Sequence, residues 1–285
     1  MKKFVLVYAI CLALITLSCE QSVELDFPEA SSDIIVDGWI EQGKGPRVIL
    51  TRSLPYFSSI DSASFRDLVV SKAKVTVSVD SMTEILTLHY NEQHFPPYVY
   101  QGFQIKGEVG KRYVLKAKLG QQILTAETYI PEPPAIDSLW TITHPEKDTL
   151  QQIMVRFKDD PETTDYYRFF SRIQGHEDYY KPAYGSVFHD HPMNGSVVDF
   201  PLFKGYTTNQ SREDLYFTSG DTVWIKFCTL PESCFAFWKN FQAEQMNAVN
   251  PFASSANKLE GNIQGKGRGV WTGYGADYGR IILYE

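Results

Sequence analysis

Basic residues are scarce in this chain: 27 Lys and Arg stand against 34 Asp and Glu in 285 residues, a net charge of −7. That balance excludes a protein built to wrap nucleic acid, where cations must neutralise phosphates, and points to solubility. Cysteines number only four, with no C-x-x-C pair and no His pair to complete a zinc site. No G-x-S-x-G elbow is present, which removes the hydrolases built on that turn. No stretch reaches the roughly 20 apolar residues of a membrane-crossing helix. There is no low-complexity tract and no repeat of fixed period. What the chain has in quantity is aromatic residues, 17 Tyr and 18 Phe among them. Flat, bulky side chains of this kind favour pleated surfaces.

The longest apolar run is Phe4–Leu17, preceded by Lys2 and Lys3. A basic start and a short apolar run read as a signal peptide, residues 1–18. Its loss removes two lysines and no acid, taking the net charge to −9. Thr16-Leu17-Ser18-Cys19 resembles a bacterial lipobox, in which a small residue precedes the cysteine that is lipidated. Ser18 and Cys19 match; Thr16 stands where Leu is usual, with Leu17 displaced by one place. The alternative is an ordinary signal peptide with an incidental cysteine. Several acyl chains on Cys19 give stable anchoring, each buried CH₂ contributing about 0.8 kcal/mol. Residues 19–32 then form the lipidated cysteine and its tether. Cys11 leaves with the signal peptide. Cys228 and Cys234 remain, and in an oxidising compartment they read as either a disulfide or two buried thiols.

Period-two alternation marks strands along the first half. Ser71–Val79 places Ala73, Val75, Val77 and Val79 on one face, and Leu86, Leu88 and Tyr90 continue as its expected partner. Tyr113–Leu119 and Ile123–Ile130 form a hairpin about Gly120, and Ile34–Ile40 and Arg47–Arg52 add two more strands. Some six short strands with turns between them predict a β-sandwich over residues 33–131. Three prolines in Pro131–Pro134 deny ladder donors and mark the boundary. Residues 132–285 form a second β-rich domain with strands at Ile153–Phe157, Tyr166–Ile173, Thr222–Cys228 and Ile281–Tyr284. Residues 175–214 read as long loops with brief strands. One helix is expected over 231–248, with Pro231 in its first turn, Glu232 at the positive end of its dipole, and Phe235, Trp238, Phe241 and Met246 on one broad face.

These segments are similar to the DUF4249 family of Bacteroidota lipoproteins over nearly the whole mature chain. The similarity rests on the Cys19 start, Ile35-Val36-Asp37-Gly38, Leu50-Thr51-Arg52-Ser53 and Ala126–Pro131. It continues through Phe157–Pro161 with Tyr166-Tyr167-Arg168, then Asn250-Pro251-Phe252, Asn262-Ile263 and Gly267–Tyr274. Lys266 and Arg268 interrupt the paired glycines usual after the Asn-Ile. The resemblance implies an Ig-like or transthyretin-like N-terminal sandwich, a second β-rich domain, and no assigned activity. It also implies a partner, since genes of such lipoproteins often sit beside TonB-dependent outer-membrane transporters. Asp61-Ser62-Ala63, Asp80-Ser81-Met82, Asp137-Ser138-Leu139, Asp148-Thr149-Leu150 and Asp221-Thr222-Val223 resemble the O-glycosylation site of exported Bacteroidota proteins, and equally are ordinary turn chemistry.

Four clusters carry candidate chemistry. His189-Asp190-His191 puts two imidazoles on one strand face, a candidate metal pair with His176, Glu177 or Asp178; a solvated loop explains it as well. Gly265–Gly269 lacks the strand-before, helix-after context of a phosphate loop, so bulges and close backbone approach are expected there. Phe95–Tyr100 and Tyr179–Tyr184 are aromatic, Pro-containing loops. Tyr98, Tyr100, Tyr179, Tyr180 and Tyr184 are a candidate contact surface, unless they cap the core. The functional expectation is a non-enzymatic binding or accessory lipoprotein without cofactor. It would sit in the outer membrane, facing periplasm or cell surface, beside a TonB-dependent transporter. The alternatives are a metal-dependent hydrolase using His189 and His191, and a structural or adhesive surface protein.

Overall fold

The computed structural model describes residues 33–53, 68–91, 96–205, 211, 213–247 and 259–284. The segment carrying Cys19, Asp61-Ser62-Ala63, Phe95 and Asn250-Pro251-Phe252 lies outside them. The protein is mainly β, with several sheets and one prominent helix among the described residues. The first half supplies β1 (Ile34–Glu41), β2 (Arg47–Arg52), β3 (Lys74–Val79), β4 (Met82–Ile85), β5 (Thr87–Tyr90), β6 (Tyr98–Gln101), β7 (Arg112–Leu119) and β8 (Gln122–Tyr129). The second supplies β9 (Ser138–His144), β10 (Lys147–Lys158), β11 (Tyr166–Ile173), β12 (Lys181–His189), β13 (Val197–Leu202), β14 (Phe217–Thr218), β15 (Thr222–Thr229), the helix α1 (Glu232–Asn247) and β16 (Gly267–Ile282).

Eight strands form one sheet in the order β12-β11-β15-β16-β1-β2-β6-β5. Strands from both sides of the proline run therefore share it, and β1 and β16 pair in parallel from Ile34–Gly267 to Glu41–Tyr274. A second sheet runs β4-β3-β7-β8; in a third, β10 carries β9 on one edge and β13 and β14 on the other. Alternation decides which side chains meet. Val36 and Ile40 of β1 join Val75, Val77, Tyr113, Leu115, Leu124, Ala126 and Trp271 in an N-terminal core. Tyr167 and Phe169 of β11 and Ile225 and Phe227 of β15 join Ile153, Val155 and Phe157 in a second core. The other face of those strands, with Phe170 and Cys228, packs beneath α1 against Phe235, Phe237 and Trp238. Phe237, outside the expected helical stripe, is buried, whereas Met246 is exposed.

Three expectations need correction. Of Leu86 to Tyr90, only Leu86 reaches β3, its N–H donating to the Val75 carbonyl at 2.9 Å: the strand paired with β3 there is β4, and after Leu86 the chain crosses so that β5 pairs with β6. Residues 175–214 hold two strands of six to nine residues, β12 and β13. The glycine-rich segment is one 16-residue strand at the centre of the large sheet, and Ile281 and Ile282 are its end, not a separate strand. Its glycines do serve close approach. A Cβ on Gly273 would lie 2.0 Å from the Tyr129 carbonyl oxygen, and one on Gly275 would lie 2.2 Å from that of Pro131. Gly269 has φ +118° and sits against Val36 in the same way. The proline run thus crosses directly over β16, between Trp271 in the first core and Ile281 beside the second.

Polar side chains fasten the crossing. The Gly273 N–H donates to Thr128 Oγ1 at 2.8 Å. Asn262 gives its Nδ2 protons to the carbonyls of Glu127 and Trp271 and accepts from the Trp271 N–H. Ile136 N donates to Asp277 Oδ2 at 2.8 Å. Because the Gly273 clash is with backbone, no rotamer change relieves it. Gly273→Ala should lower the unfolding free energy by about 3 kcal/mol, read as a shifted denaturant midpoint. An unmoved midpoint would contradict the crossing.

Candidate functional site

A sheet face under a helix is ordinarily apolar. The face beneath α1 instead carries Glu41, Lys226 and Arg168, each at most 7% exposed. Lys226 Nζ lies 3.2 Å from Glu41 Oε2, and Lys44 Nζ lies 2.7 Å from Oε1 of the same carboxylate. The Tyr278 hydroxyl also donates to Glu41. Lys226 Nζ sits 4.1 Å from the Phe170 ring centre. Burial pushes the Glu41 carboxyl up, but Lys226 and Lys44 outweigh it and hold the group below the usual glutamate range. Burial raises the Tyr278 hydroxyl, with the Glu41 charge adding to it.

Arg168 is less completely served. Its guanidinium carbon lies 3.5 Å from the Trp238 ring centre and 4.7 Å from that of Phe170. NH1 donates to the Tyr274 hydroxyl at 2.7 Å, while Nε is sealed from solvent with no hydrogen-bond partner. A guanidinium has five N–H donors, and no carboxylate of the described residues forms an ion pair with this one. Burial holds the nearby Asp37 carboxyl above the usual range in spite of the Arg168 charge.

Arg168 forms part of a cleft of about 190 Å³ between α1 and β12, with Tyr179, Tyr184, Trp238, Phe241 and Gln242 among its walls. A bulge builds it. Arg168 pairs with Val187 and Phe170 with Pro182, so Ala183–Ser186 loop away from β11, with Gly185 at φ +66°. Ser186 Oγ ties the bulge back to the carbonyls of Phe169 and Ala183. Gln242 Oε1 accepts from Val187 N at 3.0 Å, fixing the helix to the edge of the sheet. Bulges of this kind re-aim side chains beside functional sites. A second cleft of about 230 Å³, with Arg47, His89 and Gln101, lies along β2, β5 and β6.

His189, Asp190 and His191 do come together, as do Asp159, Asp165 and Asp190, each set with ligand atoms within 4.8 Å. Most of those atoms are engaged. His189 Nδ1 accepts from His191 N. Asp190 Oδ2 accepts from Asp165 N at 2.7 Å. Asp159 accepts from the Tyr167 hydroxyl at 2.6 Å and from Gly195 N at 2.8 Å. These carboxylates pin the turns at 159–165 and 190–195.

The model for "Domain of unknown function (DUF4249)" matches residues 20–277. The chain belongs to the DUF4249 family. No curated protein matches it. In this DUF4249 protein the expected contact residues scatter. Tyr100 is a core residue at 3% exposure, its hydroxyl donating to the Val70 carbonyl, and so is not part of an exposed surface. Tyr98 is half-buried, edge-on to Tyr90. Tyr179 and Tyr184 line the cleft, and Tyr180 packs between Tyr278 and the cations Arg172 and Lys226. The candidate Cys228–Cys234 disulfide is not formed; both are buried free thiols. Cys234 Sγ turns instead to the Trp271 carbonyl at 3.3 Å, and burial pushes the Cys228 thiol up to about 12. Arg168, Lys226 and Glu41 escaped the sequence reading as site residues. The signal for the two cations is a basic residue inside a strand rich in hydrophobic residues on both faces: Lys226 is the one cation of Thr222–Thr229, and Arg168 shares Tyr166–Ile173 with Arg172.

Removing one partner of a buried pair leaves the other charge uncompensated. Glu41→Gln should therefore cost about 3 kcal/mol at neutral pH. Glu41's folded pKa is depressed, so its contribution is present above the unfolded pKa and lost as pH falls through the folded value. The acid limb of the stability–pH curve should be shallower in the variant; identical limbs would contradict the pairing.

Proposed function

We propose that this DUF4249 protein is an outer-membrane lipoprotein, held by lipid on Cys19, whose β body binds a ligand in the α1–β12 cleft beside a TonB-dependent transporter. The observation that carries the binding role is Arg168: a buried cation on the wall of a cleft, with no carboxylate ion-paired to it among the described residues. Burying a charge without a partner is unfavourable, and an anion bound in the cleft would offset that cost. The address rests on Lys2 and Lys3, the apolar run Phe4–Leu17 and Ser18-Cys19. The transporter follows from the resemblance to Bacteroidota lipoproteins, an associational ground and not one of geometry.

Cells fed labelled palmitate should label the wild-type protein, and Cys19→Ala should abolish the label and move the protein to the soluble fraction. Mild detergent extraction of outer membranes followed by pull-down should retrieve a TonB-dependent receptor. A lipoprotein recovered alone would count against the partnership, and an unlabelled wild type against the anchor.

A second reading, a metal-dependent hydrolase, has the His189-Asp190-His191 grouping in its favour. Stoichiometric metal in the purified protein, lost in His189→Ala/His191→Ala, would support it. The binding reading expects no such metal.

A further inference from the structure

We infer that the α1–β12 cleft takes a small organic carboxylate with an aromatic or apolar body, the carboxylate seated on Arg168. The inference rests on the reading of the cleft as a ligand seat and adds the chemistry of its ligand. Rings lying over a guanidinium occupy its faces and leave the N–H edge for acceptors. In Arg168 the rings are Trp238 and Phe170, and NH1 is already donated to Tyr274. Nε is unpartnered but sealed from solvent, so the remaining amino group, NH2, is what Arg168 offers the cleft. A carboxylate oxygen meets that group in a charge-assisted hydrogen bond, about twice as strong as a neutral one.

The charges around Arg168 agree. Glu41 is committed to Lys226 and Lys44, and on the cleft rim Lys181 is paired with Glu177 at 2.9 Å. Asp37 nearby feels the Arg168 charge, which opposes the rise that burial causes in its carboxyl, but it forms no ion pair with Arg168. Arg168 is thus the cation of the cleft without a carboxylate of its own among the described residues. The rest of the ligand follows from the walls: Tyr184, Trp238 and Phe241 offer aromatic surface. At about 190 Å³ the space is smaller than the roughly 300–1,000 Å³ of drug-sized sites. One ring with a short acidic side chain suits it; a sugar chain does not.

Calorimetric titration of the detergent-solubilised full chain should use three probes: phenylacetate, its neutral amide, and inorganic phosphate. Phenylacetate should bind saturably, at least about tenfold more tightly than either of the others. Arg168→Gln should weaken it tenfold or more, and Arg168→Lys should retain only part of the affinity, because an ammonium keeps the charge and loses the planar guanidinium held against the rings. Since Arg168 is buried and replacing it also disturbs folding, Met246→Trp provides a second test. Met246 is 42% exposed at the cleft mouth, so a larger side chain there should block binding while the unfolding midpoint holds. Amide binding equal to phenylacetate, and blocked by Met246→Trp, would keep the cleft as a seat and overturn the carboxylate. Phosphate binding as tightly as phenylacetate would reduce the site to a simple anion site and overturn the organic ligand. No binding by any probe would overturn both.

Discussion

The backbone of residues 129–131 lies directly on the backbone of β16, and only hydrogens at positions 273 and 275 allow it. Much else depends on that contact. It lets one strand serve two cores, with Trp271 filling the first at zero exposure and Ile281 packed against the second. Gly38 is part of the same arrangement: a Cβ there would lie 2.8 Å from the Trp271 ring. Close packing leaves no slack to absorb such a displacement. The asparagine at 262 substitutes a side-chain amide for a ladder partner, so the strand edge at Trp271 is satisfied where β15, which pairs with β16 only from Gly275 onward, does not reach. The proline run then separates two sets of core residues without separating two sheets.

The opposite face of the sheet follows a different rule. A helix laid on it could have been met by leucines, and two cations with a glutamate are there instead. Buried ion pairs contribute little net stability relative to apolar residues of the same shape. Their presence under α1 is better accounted for by placement than by stability. Glu41 fixes Lys226, Lys226 and the aromatic rings fill the space beside Phe170, and Arg168 is left at the end of the row facing the bulge in β12. The bulge itself depends on Gly185 in the left-handed region and on a serine that satisfies two carbonyls. The cleft is therefore a product of backbone irregularity, with a rigid floor beneath it.

Alternation made β1, β3, β7 and β8 legible, because each presents one regular buried face, whereas β2, β11 and β15 are buried over consecutive residues and were legible as short apolar or aromatic runs. The helix was legible from its proline, glutamate and aromatic spacing. β16 was not, since glycine carries no hydrophobicity and its role is decided by which backbone lies across it. β12 was hidden by Pro182 and Gly185 within its span, and the exchange of partners at Leu86 by the absence of any turn residue there. Of the cleft, Tyr179 and Tyr184 were singled out for their exposure as loop aromatics. Arg168 was visible only as a cation in an aromatic strand, which reads as a surface residue unless both faces of that strand are known to be covered. Cys228 and Cys234 are close in sequence, but one lies on a strand and the other in the first turn of a helix whose sulfur faces β16.

The parallel pairing of β1 with β16 has a mechanical consequence. Chain entering at Asp33 passes at once into a central strand that is hydrogen-bonded on both edges, to β2 and to β16. A pull on that end is directed along β1, so it loads the bonds to both neighbours in shear and together. Unzipping, which breaks one bond at a time, would require the strand to be peeled sideways. Arg268, paired with Asp33 at 3.0 Å, stands at the point where such a force enters. A pull on the chain ahead of Ile34 therefore meets two ladders and an ion pair before β1 can leave the sheet.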